Sequence, residues 1–156
     1  MERTMIILKP DTVQRGLIGS VITRFEAKGL KPAAMKLIRI ERALAERHYG
    51  VHKAKPFYDG LIRYITSGPV VVMVLEGVNA ISVARKLMGA TFGFNAEPGT
   101  IRGDFGMSKT FNLVHGSDAP ETAEAEIRLY FSEDEVLGYE RTGEPWIYDF
   151  SGGEPQ

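Results

Sequence analysis

The stretch VVVMVL, Val70–Leu75, is the longest apolar run in the chain, and it decides the architecture. Four of its six residues are valine, and the break Ser67-Gly68-Pro69 precedes it. A short, uninterrupted, β-branched run bounded by turn residues is typical of a central strand. It is also far shorter than the ~18 apolar residues that a membrane-spanning helix needs. The run therefore predicts a strand in the middle of a sheet.

Strands and helices are predicted to alternate on both sides of this run. Short apolar segments predict further strands at Thr4–Lys9, Lys31–Ile40 and Phe111–Val114. Helical spacing and capping residues predict helices near 18–28, 43–52, 56–66, 79–88 and after Asp118, with a long loop over 89–106. This order is compatible with a parallel α/β sheet and with a ferredoxin-like split βαβ sheet, and periodicity does not choose between them.

The composition indicates an ordinary globular domain. The chain has 156 residues, of which 44% are hydrophobic and 25% charged, and its net charge is −1. Such a chain can bury a core without covalent staples, and its charge argues against bulk attraction to nucleic acid or anionic membranes. Because it has no cysteine, disulfides, thiolate catalysis and cysteine-ligated metals are excluded.

The two ends of the chain give predictions about location and domain organisation. No apolar segment of signal-peptide type lies between Met1 and the charged pair Lys9 and Asp11, so we expect a cytoplasmic protein. We expect one domain over residues 1–150. The polar residues 151–156 predict a disordered tail.

Two of the three histidines are spaced so that they could share a metal. His48 and His52 are four residues apart on a predicted helix, which places both on one face. The sequence offers neither an acidic residue directly after His48 nor an obvious third ligand. A solvated helix face is therefore the favoured interpretation of this pair.

His115 is the stronger candidate for chemistry. It follows a short apolar strand, and Gly116 leaves room for a reactant to approach the ring. A helix is predicted to begin at Ser117 or Asp118, and Glu126 lies one or two turns into that helix. A carboxylate that orients a histidine would make the histidine a nucleophile or a base. A structural histidine at a strand end is the alternative, and spacing alone does not decide between the two.

The cations Lys9, Arg85 and Arg102 could bind an anion if the fold brings them together. Each one alone is better explained as a surface ion pair, whereas phosphoryl transfer requires several to converge. The triplets Asp104-Phe105-Gly106 and Arg102-Gly103-Asp104 resemble kinase and adhesion motifs, but nothing else in the sequence supports either role. The glycine-rich signatures of P-loop and Rossmann nucleotide sites are absent.

Several motifs together resemble one known family. They are, in order, IILKPDTVQRGLIG (Ile6–Gly19), HY (His48, Tyr49), KPFYDGL (Lys55–Leu61), TSGPVVVMVLEG (Thr66–Gly77), PGTIRGDF (Pro98–Phe105), NLVHGSD (Asn112–Asp118) and WIYDF (Trp146–Phe150). The chain resembles the nucleoside diphosphate kinase family from Glu2 to about Phe150. The histidine motif and the GTIRGD segment are highly specific in combination.

The resemblance implies a fold and an activity. The fold is a ferredoxin-like α+β core, with a four-stranded antiparallel sheet and helices on one face. The activity is ping-pong transfer of the γ-phosphoryl group of ATP or another triphosphate to a nucleoside diphosphate through a phosphohistidine, which maintains the NTP and dNTP pools. The cofactor is Mg²⁺, held mainly by the phosphates and not by protein ligands. The assembly is a homo-hexamer, with a tetramer as the alternative.

The resemblance also implies roles for residues at matching positions. His115 is the nucleophile, and Glu126, helped by Ser117, orients its ring. The residues that contact the terminal phosphate or its transition state are Lys9, Tyr49 and Arg102. The other nucleotide-binding residues are Arg85 and Thr91 for the inner phosphates, Asn112 with Lys9 for the ribose hydroxyls, and Phe57 with Leu61 for the base.

Three positions depart from the family pattern. Thr12 stands where glycine is usual, and the loop residues Phe92–Asn95 replace an asparagine-proline that often lies at subunit contacts. Lys109 replaces an apolar residue expected near the base, so we expect an altered nucleotide preference. None of these positions is assigned to the chemistry.

Two other functions remain as alternatives. A non-catalytic nucleotide-binding or regulatory protein of the same fold would lack the histidine or its neighbouring cations, which are present. A nucleic-acid-binding module would show exposed aromatic residues on adjacent strands and a basic surface. The predicted strands are aliphatic and the net charge is −1, which disfavours it. We expect no membrane partner and no specific nucleic acid.

Overall fold

The computed structural model describes residues 1–156 and contains one four-stranded antiparallel sheet. The strands are β1 (Glu2–Leu8), β2 (Lys31–Arg39), β3 (Pro69–Gly77) and β4 (Val114–Gly116), in the order β2-β3-β1-β4. Strand β3 is antiparallel to both β1 and β2, so those two run parallel with β3 between them. This is the split βαβ arrangement, and it confirms the ferredoxin-like alternative.

Seven α-helices connect and cover the strands. They are α1 (Pro10–Gln14), α2 (Ile18–Lys28), α3 (Arg42–Tyr49), α4 (Tyr58–Ile65), α5 (Ala80–Met88), α6 (Ile101–Phe105) and α7 (Pro120–Tyr130). Single 3₁₀ turns lie at Gly50–His52, Gly93–Asn95, Glu133–Glu135 and Glu144–Trp146. None of the helices is both long and apolar enough to cross a bilayer.

Helices cover both faces of the sheet, so the expectation of helices on one face was wrong. Val70, Val72 and Val74 pack into a cluster with α3, α4 and α7, whereas Val71 and Met73 pack into another with α2, α5 and α6. Successive residues of a strand point to opposite faces. An unbroken apolar strand therefore exposes apolar side chains on both sides, and each side needs its own layer of helices.

The last strand begins three residues later than predicted. The sequence predicted Phe111–Val114, but β4 comprises Val114–Gly116. Leu113 has a φ of +70°, which is incompatible with strand geometry, and β4 begins directly after it. Helix α7 likewise begins at Pro120, slightly after the predicted start at Ser117 or Asp118. His115 consequently lies in the middle of a three-residue strand.

The C-terminal residues turn back on themselves. The backbone groups of Asp149 and Gln156 exchange two hydrogen bonds of 3.1 Å and 3.0 Å. The disorder of residues 151–156 stays a prediction, which backbone NMR order parameters would test.

Candidate active site

A strained turn precedes the histidine. The amide of Val114 donates to the carbonyl of Asn112 at 2.7 Å, with Leu113 between them at positive φ. This is the pattern of a classic γ-turn, which is rare because it is strained. Two side chains of α1 stabilise the turn by hydrogen bonds. The Leu113 amide donates to the Asp11 carboxylate at 3.1 Å, and the Thr12 hydroxyl donates to the Leu113 carbonyl at 2.6 Å. These contacts fix the backbone two residues before His115.

His115 and Glu126 form the central contact of the site. The His115 Nε2 hydrogen-bonds Oε2 of Glu126, and Nδ1 has no protein partner. The His115 side chain is 21% exposed, whereas that of Glu126 is 6% exposed. The sequence predicted that Glu126, one or two turns into the next helix, could reach the ring, and the structure shows this contact. The nitrogen that remains available to a reactant is therefore Nδ1.

The pKa values of this pair indicate a neutral ring beside a carboxylate. Burial lowers the pKa of His115 below its ordinary value, and it outweighs the opposing effect of Glu126. Burial alone would raise the pKa of Glu126, but the neighbouring rings of His115 and His48 outweigh it and lower that pKa to about 2. At neutral pH the carboxylate accepts the Nε2–H, and the lone pair of Nδ1 is free to attack an electrophile.

Two aromatic residues of α3 enclose the imidazole. The ring of His48 stacks on Tyr49 with centroids 4.2 Å apart, and it lies edge-on to His115 at 4.8 Å. The Tyr49 hydroxyl is buried and has no hydrogen-bond partner in the protein. Burial raises the pKa of this hydroxyl, so it stays protonated and can donate. An unpartnered buried donor is costly unless a ligand accepts from it.

The cavity beside these residues is large enough for phosphate groups. It measures about 600 Å³, and His115, Tyr49, Glu126 and Arg85 all line it. The Arg85 side chain also donates to the carbonyl of Gly116 at 3.3 Å, directly after the histidine. The cavity thus brings the guanidinium of Arg85 and the hydroxyl-bearing side chain of Tyr49 together with the imidazole of His115.

The cations Lys9 and Arg102 meet at Asn112. Lys9 Nζ donates to the Asn112 side chain at 2.7 Å, and burial, then repulsion from Arg102, lowers the pKa of Lys9 to about 7. Arg102 donates to the backbone carbonyls of Asn112 (3.0 Å), Gly89 (3.0 Å) and Val114 (2.7 Å). A guanidinium has five N–H groups, so two remain for a ligand.

The residues expected to bind the rest of the nucleotide lie in different surroundings. The Asn112 side chain donates to the carbonyl of Thr91 at 3.2 Å, which ties the long loop to the end of the γ-turn. Phe57 is 52% exposed and therefore open to a stacking partner, whereas Leu61 packs against the core. Lys109 Nζ lies 6.0 Å from the ring centroid of Phe92. An altered base preference at Lys109 stays a prediction.

Ser117, which was expected to help Glu126 orient the ring, is hydrogen-bonded to strand β1. Its buried hydroxyl accepts from the amide of Met5 at 3.2 Å and makes no hydrogen bond with His115 or Glu126. It joins the end of β4 to β1, because the two strands are adjacent at that point. In this structure the serine hydroxyl joins two strands, and a role for it in orienting the ring stays a prediction.

The favoured interpretation of His48 and His52 as a solvated helix face is wrong for His48, whose side chain is only 4% exposed. His52 contacts the ring of Phe57, with centroids 5.4 Å apart. The ligand atoms of His48, His115 and Glu126 lie within 4.8 Å of one another. The available signal was the adjacency of His48 to Tyr49, which was already a candidate.

Comparison with known proteins agrees with this geometry. The family model described as nucleoside diphosphate kinase matches residues 2–136. The chain is 58% identical over 149 residues to a nucleoside diphosphate kinase of Archaeoglobus fulgidus, covering 96% of this chain and 99% of that protein. It is 56% identical over 149 residues to one of Carboxydothermus hydrogenoformans, covering 96% and 100%.

A solved structure is similar over nearly the whole chain. The nucleoside diphosphate kinase of Halobacterium salinarum in complex with CDP superposes with a TM-score of 0.93 at 51% identity. The match covers 95% of this chain and 99% of that one. With its fold, its histidine site and these relatives, the chain belongs to the nucleoside diphosphate kinase family.

Proposed function

We propose that this protein transfers the γ-phosphoryl group of ATP or another nucleoside triphosphate to a nucleoside diphosphate, through a phosphate carried on Nδ1 of His115. The observation that carries the proposal is the binding of Nε2 to Glu126, which leaves Nδ1 as the free nitrogen on the cavity wall. The enzyme would thereby maintain the cellular pools of NTP and dNTP.

The first half-reaction phosphorylates the enzyme. The lone pair of His115 Nδ1 attacks the γ-phosphorus, and the bond from that phosphorus to the bridging oxygen breaks. The electron pair leaves with the nucleoside diphosphate. The ring keeps its Nε2 proton and becomes positive, and the Glu126 carboxylate stabilises that charge at hydrogen-bond distance.

The second half-reaction reverses this step with a different acceptor. A terminal phosphate oxygen of an incoming nucleoside diphosphate attacks the phosphorus, and the P–N bond breaks. Its electron pair returns to Nδ1, so His115 is again neutral. Because both half-reactions use the same atoms, one site serves the donor and the acceptor in turn.

The cations and donors around the ring support the transfer. Charge spreads over the equatorial oxygens of the moving phosphoryl group, so fixed donors stabilise it. We assign the Tyr49 hydroxyl, Lys9 and the two remaining N–H groups of Arg102 to these oxygens. Arg85 and Thr91 are assigned to the inner phosphates, and Asn112 with Lys9 to the ribose. Tyr49 and Arg85 line the cavity, whereas Lys9, Arg102 and Thr91 are hydrogen-bonded to Asn112 in the γ-turn, and these two groupings support the assignment.

Base binding is proposed at Phe57, with Leu61 beneath it. A half-exposed aromatic face can stack on any base, because every base has a π-face. This suits an enzyme that accepts several nucleotides.

Mg²⁺ is proposed as the cofactor that neutralises the phosphates. The carboxylates on the cavity wall are Asp118, Glu121 and Glu126, and the last is already engaged by imidazoles. Mg²⁺ commonly binds through substrate phosphates and few carboxylates. We therefore propose that the nucleotide phosphates would hold most of the ion's coordination, and that Asp118 and Glu121 would be the carboxylates available to it on the cavity wall.

The phosphoenzyme provides the decisive test. Incubation with γ-labelled ATP should give an adduct that is labile to acid, stable to alkali, and discharged by added GDP. His115→Ala should abolish the adduct, whereas His52→Ala should retain it. An acid-stable adduct would indicate a hydroxyl ester, and label retained by His115→Ala would remove the histidine from its role.

A homo-oligomeric assembly is also proposed, with a hexamer favoured over a tetramer. The edge strand β2 exposes Met35 (45%) and Leu37 (63%), and the loop after α5 exposes Phe92 and Phe94. Exposed apolar groups at a free sheet edge favour association. Sedimentation velocity would distinguish the two assemblies, and a monomer at micromolar concentration would contradict both.

We further propose that the protein works in the cytoplasm, where the nucleotide pools that it would equilibrate are found. Cell fractionation with an antibody against the chain would test this location, and recovery in the membrane or secreted fraction would contradict it.

A further inference from the structure

Glu126 is approached by two imidazoles on the same oxygen. Besides His115, the Nε2 of His48 lies 3.0 Å from Oε2 of Glu126. The side chains of His48 and Glu126 are 4% and 6% exposed. His48 Nε2 makes no regular hydrogen bond, although it lies at hydrogen-bond distance from the oxygen that His115 also contacts.

A tyrosine holds the other side of His48. Nδ1 of His48 lies 2.8 Å from the hydroxyl of Tyr130, which is four residues after Glu126 on α7. Residues four apart share a helix face, so α7 presents the carboxylate and the hydroxyl to the same ring. Stacking on Tyr49 fixes the plane of that ring.

The proton positions in this network follow from its chemistry. An ionised Glu126 only accepts, so the nitrogen of His48 that faces it must carry the proton. Nδ1 is then an acceptor in the neutral ring, and the Tyr130 hydroxyl must donate to it. Burial, then the charge of Glu126, raises the pKa of Tyr130, which keeps that hydroxyl protonated.

We infer that His48 is a positioning residue for phosphoryl transfer: with Tyr130 it holds the Glu126 carboxylate, and through it the His115 ring with Nδ1 toward the phosphate. This inference rests on the proposed function and deepens it, because it names the groups that keep the nucleophile aligned. The competing explanation is that His48 and Tyr130 only fill space in the core.

Three variants separate these explanations. Tyr130→Phe removes one hydroxyl and little volume, while His48→Phe keeps a ring for stacking on Tyr49 but removes both nitrogens. Tyr139→Phe is the matched control, because it deletes a hydroxyl that bonds the distant carbonyl of Pro32. Circular dichroism should first show that all three variants fold.

The readout is single-turnover phosphorylation by ATP. We expect His48→Phe and Tyr130→Phe to lower the phosphorylation rate constant about 10- to 100-fold, the range that loss of a hydrogen bond to a charged network supports. The ATP concentration for half-saturation should change less than about twofold, and the Tyr139→Phe control should stay within about twofold of the wild type.

The double variant tests whether Tyr130 acts through His48. We expect His48→Phe/Tyr130→Phe to be as slow as His48→Phe alone, because the hydroxyl has nothing left to orient. Wild-type rates in His48→Phe, or losses that multiply in the double variant, would overturn the inference.

An independent measurement uses the ¹⁵N shifts of the imidazoles in the free enzyme. We expect His48 to carry its proton on Nε2, and that preference to weaken in Tyr130→Phe. Protonation of His48 on Nδ1 in the wild type would overturn the inference. If the wild-type enzyme forms no phosphohistidine at all, the proposed function fails instead, and the two failures are thereby distinguished.

Discussion

The Thr12 hydroxyl donates a 2.6 Å hydrogen bond to the carbonyl of Leu113, the residue at positive φ two positions before His115. Thr12 is fully buried, and the backbone amide of Lys9 donates to the same carbonyl at 2.8 Å. The position at which this chain departs from the usual glycine thus adds a bond to the strained turn. Its side chain helps hold a conformation that costs free energy on its own.

Thr12→Val should destabilise the protein by about 0.5–1.5 kcal/mol, because the shape is kept and the Leu113 carbonyl loses one of its two buried donors. Urea unfolding measures this difference. Thr23→Val is the matched control, since its hydroxyl bonds the carbonyl of Gly19 on an exposed helix face, and it should change stability by less than about 0.5 kcal/mol. Equal effects of the two substitutions would contradict the role of Thr12.

Glu126→Gln should lower the rate of enzyme phosphorylation about 100-fold, because a neutral amide cannot balance the charge that develops on His115. Stopped-flow or quenched-flow kinetics with ATP measure the rate. Glu124→Gln, an exposed glutamate paired with Arg128 on the same helix, is the control and should retain the wild-type rate. A Glu126→Gln enzyme of full rate would show that the carboxylate is dispensable.

The Glu126 carboxylate should also make the stability of the protein depend on pH in the acid range. Its pKa is about 2 when folded, below the ordinary 4.5, so the folded state binds fewer protons than the unfolded state between these values. The stabilisation is complete above pH 4.5 and is lost as the pH falls toward 2. Urea unfolding at several pH values should show the stability gap between the wild type and Glu126→Gln narrowing across this window. A constant gap would argue against an ionised Glu126.

Lys9 should make the stability of the protein depend on pH above neutrality. Its folded pKa of about 7 lies below the ordinary 10.5, so the unfolded state binds more protons between these values and wild-type stability rises with pH there. Lys9→Met removes the buried ammonium. Its stability relative to the wild type should be greatest at pH 7 and below, where the buried charge destabilises the wild type most. Its activity should fall sharply.

Thermal or urea unfolding from pH 7 to pH 9 would follow this difference. Lys86→Met, at an exposed position on α5, is the control and should show no such trend. A stability difference between Lys9→Met and the wild type that stays constant with pH would indicate that Lys9 is not desolvated.

Phe57→Ala should raise the KM of every nucleotide by a similar factor, about 5- to 100-fold, and leave kcat nearly unchanged. Stacking contributes about 1–3 kcal/mol per base and does not depend on hydrogen-bond pattern. Steady-state kinetics with ATP, GTP and CTP as donors measure the effect, with Phe150→Ala as the exposed control. A loss confined to one base would assign Phe57 a selective contact instead.

The sequence predicted the centre of the fold better than its edges. Val70–Leu75 was correctly identified as a central strand, because a short, unbroken, valine-rich apolar run is typical of a strand buried on both faces. The choice of the split βαβ sheet came from the family resemblance, which also gave the incorrect expectation of a single helical face. The valine run itself required the second layer.

The site was predicted where its residues are close in the sequence and missed where they are distant. His115 and Glu126 are eleven residues apart and joined by one strand and one helix, so their contact could be anticipated. His48 contacts Tyr130 across 82 residues, and no local spacing reveals that pair. The positive φ of Leu113 was also hidden, because leucine rarely adopts it and only tertiary contacts impose it.

The guanidinium of Arg102 joins the end of α5, the γ-turn and the catalytic strand through the carbonyls of Gly89, Asn112 and Val114. These segments are therefore held together before a nucleotide binds. Little chain entropy is left to be lost on binding, so weak, rapidly reversible complexes can still be well aligned. Such a scaffold suits a catalyst that must release one nucleotide before it accepts the next.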